Sequence, residues 1–266
     1  FHIPLMKIFN AGEADRTFFR LLRAQVRTPD QTEGDIHAQI TANTLIEARL
    51  LVMLAEYGLT DLVALSEELN DRTEAAMRSA ISEVPDGSYR YAMQSDGLSP
   101  AAPFDFSLVL TISGDTAQFD FTGTSPAQPR AINCPFCYTY AMSAYALKCA
   151  LLPDVANNSG MLRPIEVLAP ENSLLNPLPP APVGARASTG HYVPVLAFGA
   201  LAEVLPGRVM AAAGSPLWNC TQSGVRPDGR PYATNMFFNG GMGATYGADG
   251  EGAISWPSNL SSTPVE

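Results

Sequence analysis

The chain has 266 residues, 46% of them hydrophobic and 16% charged, with a formal net charge of −10. That length and apolar share suit a well-packed globular protein of one large domain or two smaller ones. The acidic balance argues against non-specific nucleic-acid binding and against an anionic membrane surface, and no apolar run reaches the roughly 18 residues a spanning helix needs.

No basic stretch followed by an apolar one opens the chain, so no secretory signal is expected. The start at Phe1 and the end at Thr263-Pro264-Val265-Glu266 suggest a processed chain or a piece of a longer one. After a short extended lead-in through Ile8 and Phe9, Asp15–Val26 carries Phe18, Phe19, Leu21, Leu22 and Val26 at helical spacing and is stopped by Pro29. Gln31–Asp35 reads as a polar break. Asp35 then caps a long helix whose Ile36, Ile40, Leu45, Ala48, Val52 and Ala55 share a face, and which ends at Gly58. Thr60 or Asp61 opens the next helix, through Leu62, Leu65, Leu69, Ala76 and Ile81, with a charged, solvated face. So short a connection predicts an antiparallel helix pair.

Beyond the turn at Pro85-Asp86-Gly87 the apolar period falls from 3.6 to 2. Ser88–Met93, Phe104–Ser113 and Ala117–Phe121 read as strands, the last two joined at Ser113-Gly114-Asp115. Phe104, Phe106, Leu108 and Leu110 take one face of the sheet, Asp105, Ser107 and Thr111 the other. Tyr138–Leu152 is a helix whose stripe of Tyr138, Met142, Tyr145 and Cys149 reads as core, and Pro164–Leu168 is a strand. The proline-rich Asn176–Pro182 is a rigid connector. His191–Leu205 is an apolar, central helix, Arg208–Ala213 a buried strand, and further strands lie near Tyr232–Phe238 and Ala253–Trp256. The order predicts an α+β (mixed α/β) fold, an antiparallel helix pair followed by a mixed sheet with packed helices. Residues 1–87 form its helical segment and 88–266 its mixed core, as one continuous domain.

Asn239–Gly250 holds five glycines in twelve residues. It is either a tight connection between strands or a loop whose bare N–H groups face a ligand. Gly241-Met-Gly243-Ala-Thr-Tyr-Gly247 approaches a dinucleotide fingerprint, but turn residues follow where a helix is required, which rules that reading out. Cys134-Pro-Phe-Cys137 matches C-x-x-C, a redox pair or half of a zinc site. No second pair of ligands exists in the sequence, and buried free thiols in a reducing, cytoplasmic location are the favoured reading. Asp120 before Thr122-Gly123-Thr124-Ser125 either holds a substrate or caps a turn. Of three histidines, His37 suits a partly exposed structural place, and His191, following Arg186–Gly190, is either functional or a packing residue. No H-E-x-x-H, G-x-S-x-G or Walker A pattern is present. The residues by themselves give a binding loop and no reaction.

One ordered set of motifs goes further. Asp120-Phe-Thr-Gly-Thr-Ser125, Ile132-Asn133-Cys134, Asn158-Ser-Gly160, Arg163-Pro-Ile165, Pro180-Ala-Pro-Val183, Gly240-Gly-Met-Gly-Ala244, Asp249-Gly250 and Thr263-Pro-Val-Glu266 together resemble the hydantoinase B/oxoprolinase family. Glu33-Gly34-Asp35 with Ala38-Gln39, and Val84–Gly87, fit the same pattern. The family includes subunits of N-methylhydantoinase, 5-oxoprolinase, caprolactamase and the acetone and acetophenone carboxylases. The resemblance implies a hydantoinase A-type partner that binds ATP and Mg and phosphorylates the substrate, in a cytoplasmic hetero-oligomer. The B-type subunit then carries that intermediate to hydrolysis or carboxylation, often at a divalent metal such as Mn or Zn. It places the metal's His and Asp ligands upstream of the position matching Phe1, so that no metal or cofactor is expected in this segment, the C-terminal part of a longer subunit. It marks Asp120, Thr124, Asn133, Asn158, Arg163, His191, Gly240, Gly241, Gly243 and Asp249 as substrate-loop candidates and leaves the catalytic residues unassigned. Where many members carry an acidic pair before a glycine, Gln94-Ser95-Asp96-Gly97 keeps only Asp96. Gly190-His-Tyr-Val-Pro194 lies nearer the carboxylase and caprolactamase branch. The alternative to an enzyme part is a binding and assembly domain, inactive alone.

Overall fold

The computed structural model describes residues 3–99, 101–214, 218–238 and 240–252. The chain divides into two compact units, Phe1–Ala64 with Cys220–Met236 and Leu65–Asn219 with Phe237–Glu266.

In the first unit, β1 (Phe9–Asn10) and β2 (Glu13–Ala14) are joined by Ala11 and Gly12, at φ 48° and 84°. Two consecutive positive φ values give a type I′ hairpin turn. Asp15 caps α1 (Arg16–Gln25), its carboxylate accepting from the N–H groups of Thr17 and Phe18. Those donors have no partner within the helix, which is why an acidic residue is favoured there. Phe18, Phe19 and Leu22 make a small core with Phe9, Val26 and Ile36. The His37 imidazole stacks on the Phe19 ring at 5.3 Å.

The long helix α2 (Pro29–Tyr57) departs from expectation at its start. It begins at Pro29 and runs unbroken through Gln31–Asp35. Pro29 sits in the first turn, where its missing N–H costs nothing, so it opens this helix besides following α1. Gly34 alone costs about 1 kcal/mol. That is too little to stop so long a helix. Arg23 also fastens the first turn through Asp30 at 2.7 Å and Glu33 at 2.5 Å. Gly58 ends it as expected, at φ 66° and ψ 30°, with the Leu59 N–H returning to the Leu54 carbonyl. β7 (Trp218–Val225) and β8 (Pro231–Phe238) form a two-stranded sheet around a turn at Gly229, φ 80°. The sequence pattern anticipates β8 and misses β7. Ala253–Trp256 and Asn239 lie outside the described residues.

The second unit holds the main core. α3 (Val63–Ser82) buries Thr73, Met77, Ala80 and Ile81. The sheet has the order β3 (Gly87–Ser99), β4 (Ala102–Ser113), β5 (Thr116–Asp120), β6 (Ile165–Leu168). Its first two pairings are antiparallel and the last is parallel. β4 alternates as expected, with Phe104, Phe106, Leu108, Leu110 and Ile112 buried. A parallel neighbour needs a crossover, and α4 (Phe136–Leu151) supplies it between β5 and β6. The helix expected over His191–Leu205 is observed as α6 (Tyr192–Leu201), ending earlier and preceded by a short α5 (Arg186–Gly190) that the sequence pattern missed, with His191 at the joint. α6 lies against β3, β4 and α4. The mixed α/β class read from the sequence is the class observed. Among the described residues no helix is long and apolar enough to cross a membrane.

Two packing expectations need correction. The buried face of α4 is Thr139, Ser143, Ala146, Leu147 and Ala150. Tyr138, Met142, Tyr145 and Cys149 are only half-buried. Small side chains let α4 approach α6 closely, and the larger ones are pushed to the margin. Arg208–Ala213 is not a ladder strand: Ala211 and Ala212 are exposed, and only Ala213 is buried.

Candidate functional site

The turn after β5 spends its polar groups on the fold. The Asp120 carboxylate accepts from the N–H and hydroxyl of Thr122, at 2.9 and 2.6 Å. This self-contained turn is the kind aspartate favours. Gly123 passes at φ 98° beside Ser107, the Thr124 hydroxyl accepts from the Ser107 N–H, and Ser125 Oγ accepts from Asp105 N–H. The buried Asn133 side chain accepts from Gln128 N–H and donates to the carbonyls of Gln128, Arg130 and Pro182. It brackets two loops together. A primary amide suits that place, having both donors and acceptors.

Cys134, beside it, is buried, and burial pushes its thiol up to about 11, only partly opposed by the Thr139 hydroxyl. At neutral pH it is a protonated, inert thiol. Cys137 is exposed and Cys149 and Cys220 are half-buried, all unpaired, so the expectation of buried thiols fits Cys134 alone. The cause is helical geometry. Cys134 lies before α4 with its side chain in the core, whereas Cys137 is on the outer side of the first turn.

Asn158 and Arg163 belong to a different corner. Asn158 caps the short 3₁₀ turn Ser159–Leu162 by accepting Gly160 N–H, and donates to the Leu69 carbonyl and Thr73 hydroxyl of α3. Arg163 reaches Asp71 at 2.7 Å and Glu74 at 2.8 Å. Both residues clamp the β6 approach to α3.

His191 is 3% exposed, and burial pushes its imidazole below the ordinary value. Around it, the Thr189 hydroxyl donates to the Ile132 carbonyl and the Ala185 N–H to the Ala131 carbonyl. Gly190 is required by crowding: a Cβ there would enter the Tyr138 ring and approach Cys134 Sγ. Asn133 and His191 are therefore held on one pair of stitched loops, with His191 kept neutral.

The glycine-rich stretch makes a small hairpin. Gly241 faces Gly252, Met242 N–H donates to Glu251 carbonyl, and Thr245 exchanges two backbone bonds with Ala248. Gly241 and Gly247 lie at φ 113° and 83°. The hairpin seats on the extended segment before residue 214 through Ala211 N–H to Ala244 carbonyl and Gly214 N–H to Gly241 carbonyl. A Cβ at Gly243 would land on the Ala211 carbonyl oxygen, and one at Gly250 on that of Met242. These glycines serve close backbone approach. The N–H groups of Gly240, Met242, Thr245 and Ala248 are used within this arrangement. Asp249 is exposed on its outer side.

What the hairpin does build is the wall of a cleft of about 460 Å³. Ala244 and Tyr246 form that wall, residues 209–213 the base, and Pro194, Val195, Phe198 and Gly199 of α6 with Tyr91 of β3 the opposite side. Apart from the two phenols the lining is apolar. It can enclose a hydrocarbon surface and offers no carboxylate, imidazole or amine for proton transfer. Sequence reading missed Tyr91, Gly199 and Tyr246, although a glycine inside so apolar a helix is a signal of close approach. Among the described residues no three His, Cys, Asp or Glu side chains are grouped to hold a metal ion.

The chain is 32% identical over 98% of its length to the putative B component of a D-/L-hydantoinase from Pseudomonas sp. (strain NS671), of which it spans 46%. The crystal structure of an ATP-dependent caprolactamase from Pseudomonas jessenii superposes with a TM-score of 0.82 at 25% identity, over 96% of this chain and 45% of the other. An acetone carboxylase in its nucleotide-free structure shares the fold, with a TM-score of 0.80 at 18% identity over 96% of this chain and 36% of that one. The chain thus spans under half the length of these relatives. The hydantoinase B/oxoprolinase model matches residues 1–266. With that match running through every loop just described, the chain belongs to the hydantoinase B/oxoprolinase family.

Proposed function

We propose that this chain is part of the B-type subunit of an ATP-dependent enzyme that opens cyclic amides (hydantoins, oxoproline or lactams) or carboxylates ketones. In this reading an A-type partner binds ATP with Mg and phosphorylates the substrate oxygen, and the B-type subunit receives the activated intermediate in the cytoplasm. Phosphorylation makes chemical sense, because it turns a poor leaving oxygen into a good one. The observation that carries the proposal is the family match over residues 1–266 together with the 0.82 TM-score to a caprolactamase.

The divalent metal that the family implies finds no donor set among the described residues. In this reading its ligands lie outside them, and no step is assigned to it. This chain's own contribution is binding: the apolar cleft under the glycine hairpin holds the hydrocarbon part of the substrate. A second reading, a binding and assembly part inactive alone, is favoured by the same cleft, whose lining lacks any carboxylate, imidazole or amine. The two differ in the level of assembly at which they apply.

The test is to co-express the subunit, with whatever sequence its gene adds to this chain, alongside its A-type partner. ATP turnover dependent on a hydantoin, oxoproline, a lactam or a ketone is expected. Absence of turnover with all four classes overturns the enzyme reading. Turnover by this chain without a partner overturns the assembly reading.

A further inference from the structure

The long helix α2 has no buried residue. It is anchored at its start, where Ile36 joins Phe18, Phe19 and Leu22. Every residue from Thr41 to Arg49 is exposed. Yet from Leu45 to Ala55 the only charged residues are Glu47 and Arg49. Leu45, Ile46, Leu51, Val52 and Tyr57 are between 58% and 70% exposed.

The angular spread of these side chains decides what can cover them. At about 100° per residue, Leu45 and Val52 share one side of α2, Ile46 and Tyr57 a second, and Leu51 a third. The three sides stand roughly 120° apart. A partner laid against a helix covers one stripe of it and leaves the other sides wet. A helix apolar on every side belongs in a protein core or in a bilayer. Among the described residues no helix is long and apolar enough to cross a membrane. A helix lying on an anionic lipid surface carries Lys and Arg along its polar face, whereas from Ile36 to Tyr57 α2 sets Arg49 against Glu47 and Glu56.

We propose that α2 is the central helix of a further core, completed by the part of the longer subunit that lies outside these 266 residues, with apolar surface packed on all three sides. The chain spans 46% of the hydantoinase component and 45% of the caprolactamase chain, so such relatives carry more than as much sequence again, enough for a core of its own. A second copy or an A-type partner would meet one side, whereas a continuous chain can return to the helix from several directions. The proposal rests on the reading above only in making this chain part of a longer subunit.

The experiment uses the whole subunit, purified without a partner. A photoreactive benzophenone amino acid replaces Leu45, Ile46 or Leu51, one on each side of α2. Irradiation is expected to join each position to a peptide outside residues 1–266, in a product of single-subunit mass. A product of twice that mass assigns α2 to a second copy, and cross-links that need the A-type partner assign it to that partner. Either result overturns the proposal, as do cross-links confined to residues 1–266, attachment from fewer than three sides, no attachment, or a gene that encodes no further residues. Because a benzophenone in a tight core can block folding, hydroxyl-radical labelling of the wild-type subunit gives a second reading. Leu45, Ile46, Leu51, Val52 and Tyr57 should all lose most of the label they take up in urea. Native labelling close to the unfolded level on any side overturns the proposal. Neither measurement uses ATP or substrate. Turnover with α2 unprotected would sink this proposal and leave the enzyme reading standing, and protection without turnover would do the reverse.

Discussion

Gly199 lies flat against the ring of Tyr91: a Cβ added to it would come within 2.6–2.7 Å of three ring atoms. This contact sets the width of the apolar cleft, since both residues line it. Two effects oppose each other on substitution. Replacing a helical glycine by alanine gains about 1 kcal/mol of helix propensity, whereas forcing atoms into a filled contact costs about 1–3 kcal/mol. Tyr91 is 39% exposed, so its ring can swing outward and relieve part of the clash. Gly199→Ala is therefore expected to leave stability nearly unchanged while moving Tyr91 across the cleft mouth. Gly199→Val, which adds β-branching to the same clash, should cost about 1–3 kcal/mol in urea unfolding. Equal, negligible effects of both would mean that the contact is loose.

The Asn158 side chain holds three partners, the N–H of Gly160, the Leu69 carbonyl and the Thr73 hydroxyl. Asn158→Ala should cost about 1–3 kcal/mol through the loss of three hydrogen bonds, the Gly160 N–H keeping Asn70 Oδ1 and the Thr73 hydroxyl keeping the Leu69 carbonyl. Asn158→Asp keeps the acceptor for Gly160 and loses both donations, so most of the loss should remain. Chemical unfolding of the two variants decides whether the donors or the cap carries the stability. An alanine variant of native stability that nevertheless fails in the assembled enzyme would return Asn158 to the substrate side.

Glu74 receives Arg163 and Arg78, and hydrogen bonds first from Arg163 and then from Arg78 hold its carboxyl below the usual range. A carboxylate whose folded pKa is depressed contributes its stability above its unfolded pKa, and loses it as pH falls through the folded one. Wild type should therefore melt higher than Glu74→Gln at neutral pH, with the gap closing on the acid side, below the ordinary glutamate range. Thermal melts of the pair across that range measure it. Since the cluster is largely solvated, added salt should shrink the neutral-pH gap as well. A gap that widens in acid would contradict the assignment.

Periodicity and punctuation made much of this fold legible. The alternation from Phe104 to Leu110 specified β4 and its buried face, and Gly58 marked the end of α2 through the left-handed conformation it adopts. The failures have local causes. Gln31–Asp35 looks like a break because polar residues and a glycine cluster there, yet nothing in a solvated first turn forbids helix. Arg208–Ala213 looks like a buried strand, but it meets the glycine hairpin through one backbone bond of its own, Ala211 N–H to the Ala244 carbonyl, instead of a ladder. The aromatic stripe of α4 was displaced from the core by its alanines, a choice made by neighbouring α6. Of the candidate site residues, only resemblance singled out Asn133 or Asn158, since each earns its place through long-range bonds to Pro182 or Leu69. The register shift in β3 between Ser95 and Ser99, which takes in Asp96, depends on the pairing with β4, which no local pattern encodes.

Gly241 and Gly243 test what the glycine hairpin is for. Gly241 lies at φ 113°, which an L side chain rarely adopts, and a Cβ at Gly243 would strike the Ala211 carbonyl. Gly252, across the hairpin from Gly241, has no atom within 4 Å of an added Cβ. Gly252→Ala is therefore the control, with stability expected within about 0.5 kcal/mol of wild type. Gly243→Ala should unseat the hairpin from residues 209–213, seen as faster amide exchange at Ala211 and Gly214, whose N–H groups bond to Ala244 and Gly241. The main core lies elsewhere in the unit, so global unfolding should move less than this local exchange. Gly241→Val, which adds backbone strain of about 1–3 kcal/mol, should lower turnover of the assembled enzyme well beyond any loss of soluble protein. If solubility and turnover fall together, the hairpin is a structural connection. If turnover falls alone, its Ala244–Tyr246 wall positions the substrate.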